Sequence, residues 1–260
     1  MLCPKCNLEL FKDNNTYKCP NNHCYDIAKE GYLNLLLSRT NGGDSKELVS
    51  SRVSFLEKGF YDQMRAYLEE IIGDFSHNKE IKLLDMGCGT GYYTKNFAKF
   101  GEVYGLDISK DAIKYASKHD KNSTYIVSSN KSAPFSSEYF DILVHIFSPI
   151  FEKEDYRLLK NEGILISVEG GANHLIELKN LLYKNPYLND EKTHAYDGFK
   201  VVDKKRIEYR VKIDNFDIHN LVAMTPYFYT TKKNDLEALK IDKTIDLSID
   251  FLVTIFKKEK

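Results

Sequence analysis

The sequence predicts an α/β protein built on a doubly wound, mostly parallel sheet, and three observations predict it. From residue 81 onward, short apolar runs alternate with segments of helical spacing. The first run leads into a glycine-rich stretch, Asp85-Met-Gly-Cys-Gly-Thr-Gly91, and the next run ends in Asp107. Strands that alternate with helices build parallel sheets, because each helix carries the chain back across the sheet before the next strand begins.

The individual elements follow from the local pattern. Apolar runs bounded by turn residues predict strands at 81–85, 103–107, 124–127, 140–145 and 163–168. The spacing of apolar residues predicts helices near 92–99, 110–118, 153–159 and 174–184. A helical lead-in over 46–73, broken near Gly59, precedes the first of these strands. Two alternating runs, 205–213 and 244–257, predict a terminal antiparallel pair that closes the sheet.

Composition bounds the class of protein. The chain has 260 residues, 42% of them apolar, which is enough for one full core and a small appendage. A formal net charge of −1 excludes a uniformly basic nucleic-acid binder but is compatible with a local basic cleft. No signal peptide is recognised, and the most apolar run, 140–151, is too short to span a bilayer. We therefore expect a soluble, cytoplasmic protein, with no membrane partner and with reduced cysteines.

Four of the five cysteines lie in the first 24 residues and predict a metal site. Cys3-Pro-Lys-Cys6 is followed, after twelve residues, by Cys19-Pro-Asn-Asn-His23-Cys24. A tight turn brings two thiolates within about 4 Å, so each half of the motif can hold half of a tetrahedral zinc ion. The spacing leaves the fourth ligand open between His23 and Cys24. A segment this short has no core of its own, so zinc would supply most of its folding free energy.

The glycine-rich stretch predicts a cofactor site. Glycines at 87, 89 and 91 let the backbone turn tightly and approach a ligand closely, because no Cβ stands in the way. Asp107, 22 residues after Asp85, is placed to accept both hydroxyls of a ribose. The Gly-x-Gly-x-Gly spacing differs from the dinucleotide fingerprint and resembles the S-adenosylmethionine (AdoMet) loop of class I methyltransferases.

Further phrases accompany the cysteine motif and the loop in one order. They are Ala28-Lys-Glu-Gly-Tyr-Leu-Asn-Leu35, Phe55-Leu-Glu-Lys-Gly-Phe-Tyr61, Gly105-Leu-Asp-Ile-Ser-Lys110, Asn173-His-Leu-Ile-Glu-Leu-Lys179 and Met224-Thr-Pro-Tyr227. Together they resemble the bacterial 23S ribosomal RNA guanine-N1 methyltransferases, which modify a guanine in a hairpin of the large-subunit RNA. The resemblance runs from Cys3 to about Tyr227. It implies a class I methyltransferase domain over 38–260, preceded by a zinc-binding knuckle over 1–37, and a homodimer.

The resemblance also implies site residues. It places zinc on Cys3, Cys6, Cys19 and His23, and AdoMet against Tyr61, Gly89, Thr90 and His174. Asn130 follows the third strand, where this fold usually contacts the adenine. The predicted cofactor-binding set is therefore Tyr61, Asp85, Gly87, Gly89, Thr90, Gly91, Asp107, Ile108, Asn130 and His174.

The acceptor side of the site is less defined. The loop after the fourth strand, His145-Ile-Phe-Ser-Pro149, lacks the Asn/Asp-Pro-Pro-Tyr tetrad with which other methyltransferases hold an exocyclic amine. Its absence fits attack by a ring nitrogen, and the loop favours the branch of the family that is associated with macrolide resistance. His145 and His174 are candidate bases by residue type, but neither is assigned. Tyr92 and Tyr93 are expected to pack in the helix that follows the glycines.

The expected RNA target follows from the chemistry of guanine N1, and two other functions remain as alternatives. A paired guanine hides N1, so the target is expected to be a loop or a flipped base. Cations that could attract its phosphates are Lys5, Arg39, Arg52, Arg65 and Lys204-Lys205-Arg206. The alternatives are a methyltransferase acting on a small molecule or a protein, and an inactive zinc-ribbon RNA-binding protein. Intact acidic and glycine positions argue against inactivity, and the knuckle has no use in small-molecule chemistry.

Overall fold

The N-terminal segment forms a small antiparallel sheet of its own. A computed structural model of the chain describes residues 1–38, 43–77, 79–191, 195–225, 227 and 244–259. Three short strands pair in the order β1-β2-β3, with bounds Phe11–Asp13, Thr16–Lys18 and Cys24–Asp26. We call residues 1–26 the ribbon. Strands of three residues bury too little to be stable alone, which agrees with a need for a metal.

The main sheet contains eight strands within the described residues. Their bounds are β4 Leu33–Asn34, β5 Ile81–Met86, β6 Gly101–Asp107, β7 Thr124–Val127, β8 Phe140–Ile146, β9 Leu159–Gly170, β10 Phe199–Ile213 and β11 Ile245–Lys258. Their order is β10-β11-β9-β8-β5-β6-β7-β4. All pairs from β9 to β4 are parallel, whereas β11 runs antiparallel to both β9 and β10. The predicted parallel sheet with a terminal antiparallel pair is confirmed.

Helices cover both faces of this sheet. Their bounds are α1 Lys46–Leu56, α2 Asp62–Ser76, α3 Thr94–Phe97, α4 Lys110–His119, α5 Glu152–Leu158, α6 Ile176–Leu182 and α7 Asn215–Ala223. The predicted break near Gly59 separates α1 from α2, because Gly59 has φ +79° and a Cβ there would lie 2.8 Å from Asp62 Oδ2. No helix in the described part of the chain is both long and apolar enough to cross a membrane.

The core lies on the two sides of β5. Leu83 faces a cluster that also contains Phe55 of α1 and Leu68 of α2. Leu84, the next residue, faces the other cluster, which includes Cys3 and Leu10 of the ribbon. The ribbon therefore packs directly on the sheet, and the backbone N–H of Leu2 donates to the carbonyl of Pro134 at 2.7 Å.

Several elements differ from the prediction. The helix expected over 92–99 is shorter, since α3 ends at Phe97 and a 3₁₀ turn follows. Strand β9 begins four residues before the predicted start, because the buried Leu159 pairs with Phe140 of β8 ahead of a register shift. Strand β4 and helix α7 were not predicted. Pro226 and residues 228–243 of the aromatic-rich tail lie outside the described residues, as do residues 39–42.

Candidate functional site

The four predicted zinc ligands of the ribbon converge on one point. The ligand atoms of Cys3, Cys6, Cys19 and His23 all lie within 4.8 Å of one another. The Sγ atoms of Cys6 and Cys19 are 3.6 Å apart, and His23 Nδ1 lies 3.4 Å from Sγ of both Cys3 and Cys19. A tetrahedral zinc ion with Zn–S bonds of about 2.3 Å and a Zn–N bond of about 2.0 Å spaces its ligand atoms about 3.5–3.8 Å apart. The donor set therefore fits one structural zinc ion.

The alternative fourth ligand, Cys24, lies outside this cluster. Cys24 is the first residue of β3 and is exposed, with its thiol 3.5 Å from the carbonyl oxygen of Asn22. Successive side chains of a strand point to opposite faces, and the next residue, Tyr25, faces the cluster. The geometry thus favours His23 over Cys24.

Tyr25 contacts a ligand of the cluster directly. Its hydroxyl lies 3.3 Å from Cys3 Sγ. Burial raises the pKa of the Cys3 thiol, but the hydrogen bonds from Tyr25 and from the backbone N–H groups of Lys5 and Cys6 outweigh it and lower that pKa to about 6. The ribbon therefore favours the thiolate, which is the form that binds zinc.

We predict that Tyr25→Phe lowers zinc affinity about 10-fold, because partners of metal ligands orient them and stabilise their charge. The measurement is a competition titration with a chromophoric chelator. Tyr17→Phe is the matched control, since Tyr17 is a half-buried ring of the same ribbon on β2. Equal zinc affinity in the two variants would contradict the role given to Tyr25.

The glycine-rich loop wraps the end of β5 as the sequence predicts. Gly87, Gly89 and Gly91 all have positive φ, at +84°, +53° and +74°. A Cβ on Gly87 would lie 2.7 Å from Ser148 Cβ, and one on Gly91 would lie 2.6 Å from the Tyr125 hydroxyl. The loop is therefore a tight cradle that side chains would fill, which is the form expected of a loop that holds a ligand close to the backbone.

Two acids, the buried Asp85 and the half-buried Asp107, support this loop. Asp107 Oδ2 accepts from the Gly89 N–H at 2.9 Å, and its Oδ1 accepts from the Ser109 N–H at 2.7 Å. Asp85 lies at the base of the loop and accepts from the Thr94 hydroxyl at 2.6 Å. Burial raises the pKa of Asp107, and it raises the pKa of Asp85 to about 7. Both carboxyl groups are thus held rigidly at the ends of their strands.

A pocket opens beside the loop, between it and the strand-end loop that follows β8. Its walls include Arg52, Tyr61, Gly87, Gly89, Thr90, Tyr93 and Phe147. The Tyr93 hydroxyl is buried at this wall without a hydrogen-bond partner among the described residues. A buried polar atom without a partner costs free energy, so a ligand that supplies one is expected here. The glycine cradle, Asp107 and this hydroxyl fit AdoMet.

Tyr61 lines the pocket, and His174 lies next to it but is not among the residues that form the pocket wall. Their ring centroids are 6.2 Å apart, and both rings pack against Phe251. His174 Nδ1 accepts from the Asp250 N–H at 3.3 Å, so the ring proton resides on Nε2. Burial, with a smaller contribution from the charge of Lys179, lowers the pKa of His174 to about 3. His174 is therefore a neutral donor and a weak base.

The low pKa of His174 makes the stability of the protein depend on pH. The unfolded state binds the proton near pH 6.5 and the folded state only near pH 3, so stability falls as the pH is lowered through that interval. We expect this residue to remove about 2 kcal/mol between pH 7 and pH 5. Urea unfolding at both values should show a smaller loss in His174→Phe than in the parent chain. His219→Gln, at an exposed histidine of α7, should leave the loss unchanged.

His145 is a structural residue. It is fully buried on β8, with Nδ1 3.1 Å from Ser148 Oγ and Nε2 3.4 Å from a carboxyl oxygen of Asp155. Ser148 in turn donates to the carbonyl of Met86, just before the glycine loop. This network ties the strand-end loop to the cofactor loop, and it leaves His145 without access to a substrate.

The other two predicted cofactor residues lie at neighbouring strand ends. Ile108 directly follows β6, and Asn130 lies three residues beyond β7. Asn130 Nδ2 is 3.5 Å from the position that a Cβ on Gly87 would occupy, so Asn130 borders the loop. Both side chains are half-buried.

The described arginines among the predicted RNA-binding cations are paired with acidic side chains and do not form an uncompensated basic patch. Arg52 pairs with Asp44 at 2.7 Å, Arg65 pairs with Asp62 and Glu69, and Arg206 pairs with Glu191 and Asp250. Lys205 lies over the Tyr67 ring, 4.0 Å from its centroid. Lys5 and Lys204 are exposed, and Arg39 lies outside the described residues.

Sequence reasoning missed several residues of the pocket wall, among them Tyr93 and Phe147. Tyr93 was expected only to pack in the helix, and Phe147 was read only as part of a loop that lacks the polar tetrad. The sole signal for Phe147 was its position after a strand of the parallel sheet, where ligands bind in this class of fold. The signal for Tyr93 was its place two residues after Gly91, the last glycine of the loop.

The sheet order, the glycine cradle and the metal cluster define a class I AdoMet-dependent methyltransferase that carries a zinc ribbon. Comparison with known proteins agrees. The zinc-ribbon family described as "RlmA, N-terminal" matches residues 1–39, and the family described as "Methyltransferase domain" matches residues 84–167. AdoMet and Zn²⁺, the cofactors predicted from the sequence, follow from these two domains. A methyltransferase structure from Bacillus halodurans C-125 covers 74% of this chain and 99% of its own, with a TM-score of 0.52 and 15% identity, and shows the fold.

Relatives over most of the chain give the family. A Bacillus subtilis (strain 168) protein, named as the 23S rRNA (guanine-N(1)-)-methyltransferase YxjB, is 31% identical over 91% of this chain and 88% of its own. The 23S rRNA (guanine(748)-N(1))-methyltransferase of Streptomyces fradiae is 26% identical over 86% of this chain and 84% of its own. The chain belongs to the 23S rRNA (guanine-N1)-methyltransferase family.

Proposed function

We propose that this protein transfers a methyl group from AdoMet to N1 of a guanine in a hairpin of 23S rRNA. The observation that carries the proposal is the composition of the pocket wall opposite the cofactor loop. Ile146 and Phe147 line that wall, where an amine-directed methyltransferase would present amide and hydroxyl groups. A ring nitrogen has no second N–H for such groups to hold, so an apolar wall suits it.

Several residues in and beside the pocket have a role in this reaction. AdoMet, when bound, supplies a methyl group that its sulfonium already activates. Asp107 would accept the ribose hydroxyls, Tyr61 and the glycine loop would enclose the cofactor, and Tyr93 would donate its free hydroxyl. Because the electrophile is activated, the protein mainly has to fix the approach of the acceptor. The N1 proton must also leave, and it passes to solvent water, because His174 is too weak a base and His145 is too enclosed to take it.

The ribbon gives the RNA a second contact. It packs on the same sheet that carries the pocket, and its exposed Lys5 faces solvent. Phosphate and shape contacts position an RNA, while the pocket reads the base. N1 is accessible only in a guanine that is unpaired or flipped, so a hairpin loop is the natural target.

Tritiated methyl transfer to deproteinised 23S RNA, free nucleosides and total protein tests the proposal. We expect label in RNA alone, and a reverse-transcription stop at one guanine, because a methyl group on N1 removes a Watson–Crick donor. A 23S RNA that lacks the labelled hairpin is the matched control. Label in protein or in nucleosides would instead support the alternative substrates.

Further parts of the proposal concern the modified guanine, macrolide resistance, the cellular location and the oligomeric state. The Streptomyces fradiae relative is named for guanine 748, and we propose that this chain modifies the same hairpin region and contributes to macrolide resistance. The proposed substrate places the activity in the cytoplasm. Growth with a macrolide, with and without the gene, tests the resistance. Size-exclusion chromatography with light scattering tests the homodimer predicted from the resemblance.

A further inference from the structure

Phe147 has an unusual combination of backbone and exposure. It follows β8 directly, it lines the cofactor pocket, and its backbone is left-handed with φ +54°. This region costs free energy for a residue with a Cβ and is common only for glycine, asparagine and aspartate. The side chain that this strained backbone presents is a large apolar ring, 49% exposed.

The surrounding structure holds the strain in place. The Phe147 N–H donates to the Val168 carbonyl at 3.0 Å, and the next residue, Ser148, donates to the Met86 carbonyl. Ser148 also contacts the buried His145, which faces Asp155. Backbone strain persists only where neighbours over-determine it, and such positions cluster at functional sites. The network therefore fixes where the Phe147 ring stands.

The ring is supported from behind by other rings. It lies nearly parallel to His174, with centroids 6.1 Å apart and planes at 23°, and it contacts Phe251 at 5.6 Å. His174 and Phe251 are themselves buried. The Phe147 ring is therefore partly buried against His174 and Phe251. The rest of the ring is a flat apolar surface that is exposed beside the pocket.

We propose that Phe147 is the stacking platform for the acceptor guanine, and this inference rests on the proposed function. In-line transfer to a ring nitrogen needs the plane of the base to be fixed relative to the methyl group. A flat aromatic surface fixes that plane, because every base has a π-face that stacks on it. Phe147 positions the substrate and takes no part in removing the N1 proton.

Phe147→Gly tests the platform without endangering the fold, because glycine adopts this φ without strain. We expect kcat/KM for methylation of 23S RNA to fall roughly 5- to 150-fold, the range for removing one stacked base contact. AdoMet affinity, measured by calorimetry, should change by less than about twofold. Phe147→Tyr, which keeps the flat ring, should restore most of the RNA activity.

The matched control is Phe216→Ala, which removes an exposed phenylalanine (62%) from α7, outside the pocket walls. It should leave kcat/KM unchanged. If Phe147→Gly methylates RNA as well as the parent chain, or loses AdoMet affinity in proportion to activity, the platform is wrong while the proposed function stands. If the parent chain methylates no RNA, the proposed function and the platform both fail.

Discussion

Replacing Cys6 with serine is expected to release the zinc ion and unfold the ribbon. Structural zinc contributes on the order of 10 kcal/mol of folding free energy in small domains, far more than three-residue strands supply. Metal analysis should find about one zinc per parent chain and almost none in the variant. AdoMet affinity should persist, since the pocket walls begin at Arg52.

The control for this experiment is Cys24→Ser. Because Cys24 is exposed and lies outside the ligand cluster, this variant should keep its zinc and its ribbon. His23→Ala, in contrast, should lose zinc as Cys6→Ser does. Zinc that remains in His23→Ala and is lost from Cys24→Ser would reverse the assignment of the fourth ligand.

Asp107→Ala is expected to weaken AdoMet binding by roughly 1.5–3 kcal/mol, the range for a hydrogen bond to a charged group, or about 10- to 150-fold in Kd. Calorimetry measures the affinity. Asp107 also holds the N–H groups of Gly89 and Ser109, so thermal unfolding must be followed in parallel. Asp111→Ala, four residues further on in α4, is the control and should bind normally. Unchanged affinity in a folded Asp107→Ala protein would remove Asp107 from the site.

Much of the fold could be predicted because its signals are local. The strands of the parallel sheet are apolar runs, and the terminal pair alternates, so periodicity marks both. Strand β4 has only two residues and exists because β7 offers a partner, which no local pattern shows. Helix α7 was missed although Asp214 caps it, since the exposed Phe216 obscures its apolar face.

The candidate site also has features that local sequence patterns predict and features that depend on contacts distant in sequence. Glycine spacing and the acid at the end of the next strand predict the cofactor loop, because both reflect backbone geometry within one β-α-β unit. The choice between His23 and Cys24 depends on which face of β3 meets the ligands, so spacing alone left it open. The left-handed backbone of Phe147 depends on its own hydrogen bond to Val168 and on that of the next residue, Ser148, to Met86, and both partners are distant in sequence.

The position of β4 would give zinc an effect on solubility. β4 pairs with β7 at the border of the main sheet, and the Leu35 N–H extends this pairing to the Val127 carbonyl. The ribbon leads straight into β4 through the bridge between Ile27 and Leu33. An uncovered border strand offers its free N–H and C=O groups to other chains, and strand addition then produces aggregates. A ribbon held by zinc would keep β4 on β7, whereas loss of the metal would let β4 detach, leave β7 as an uncovered border strand and favour aggregation.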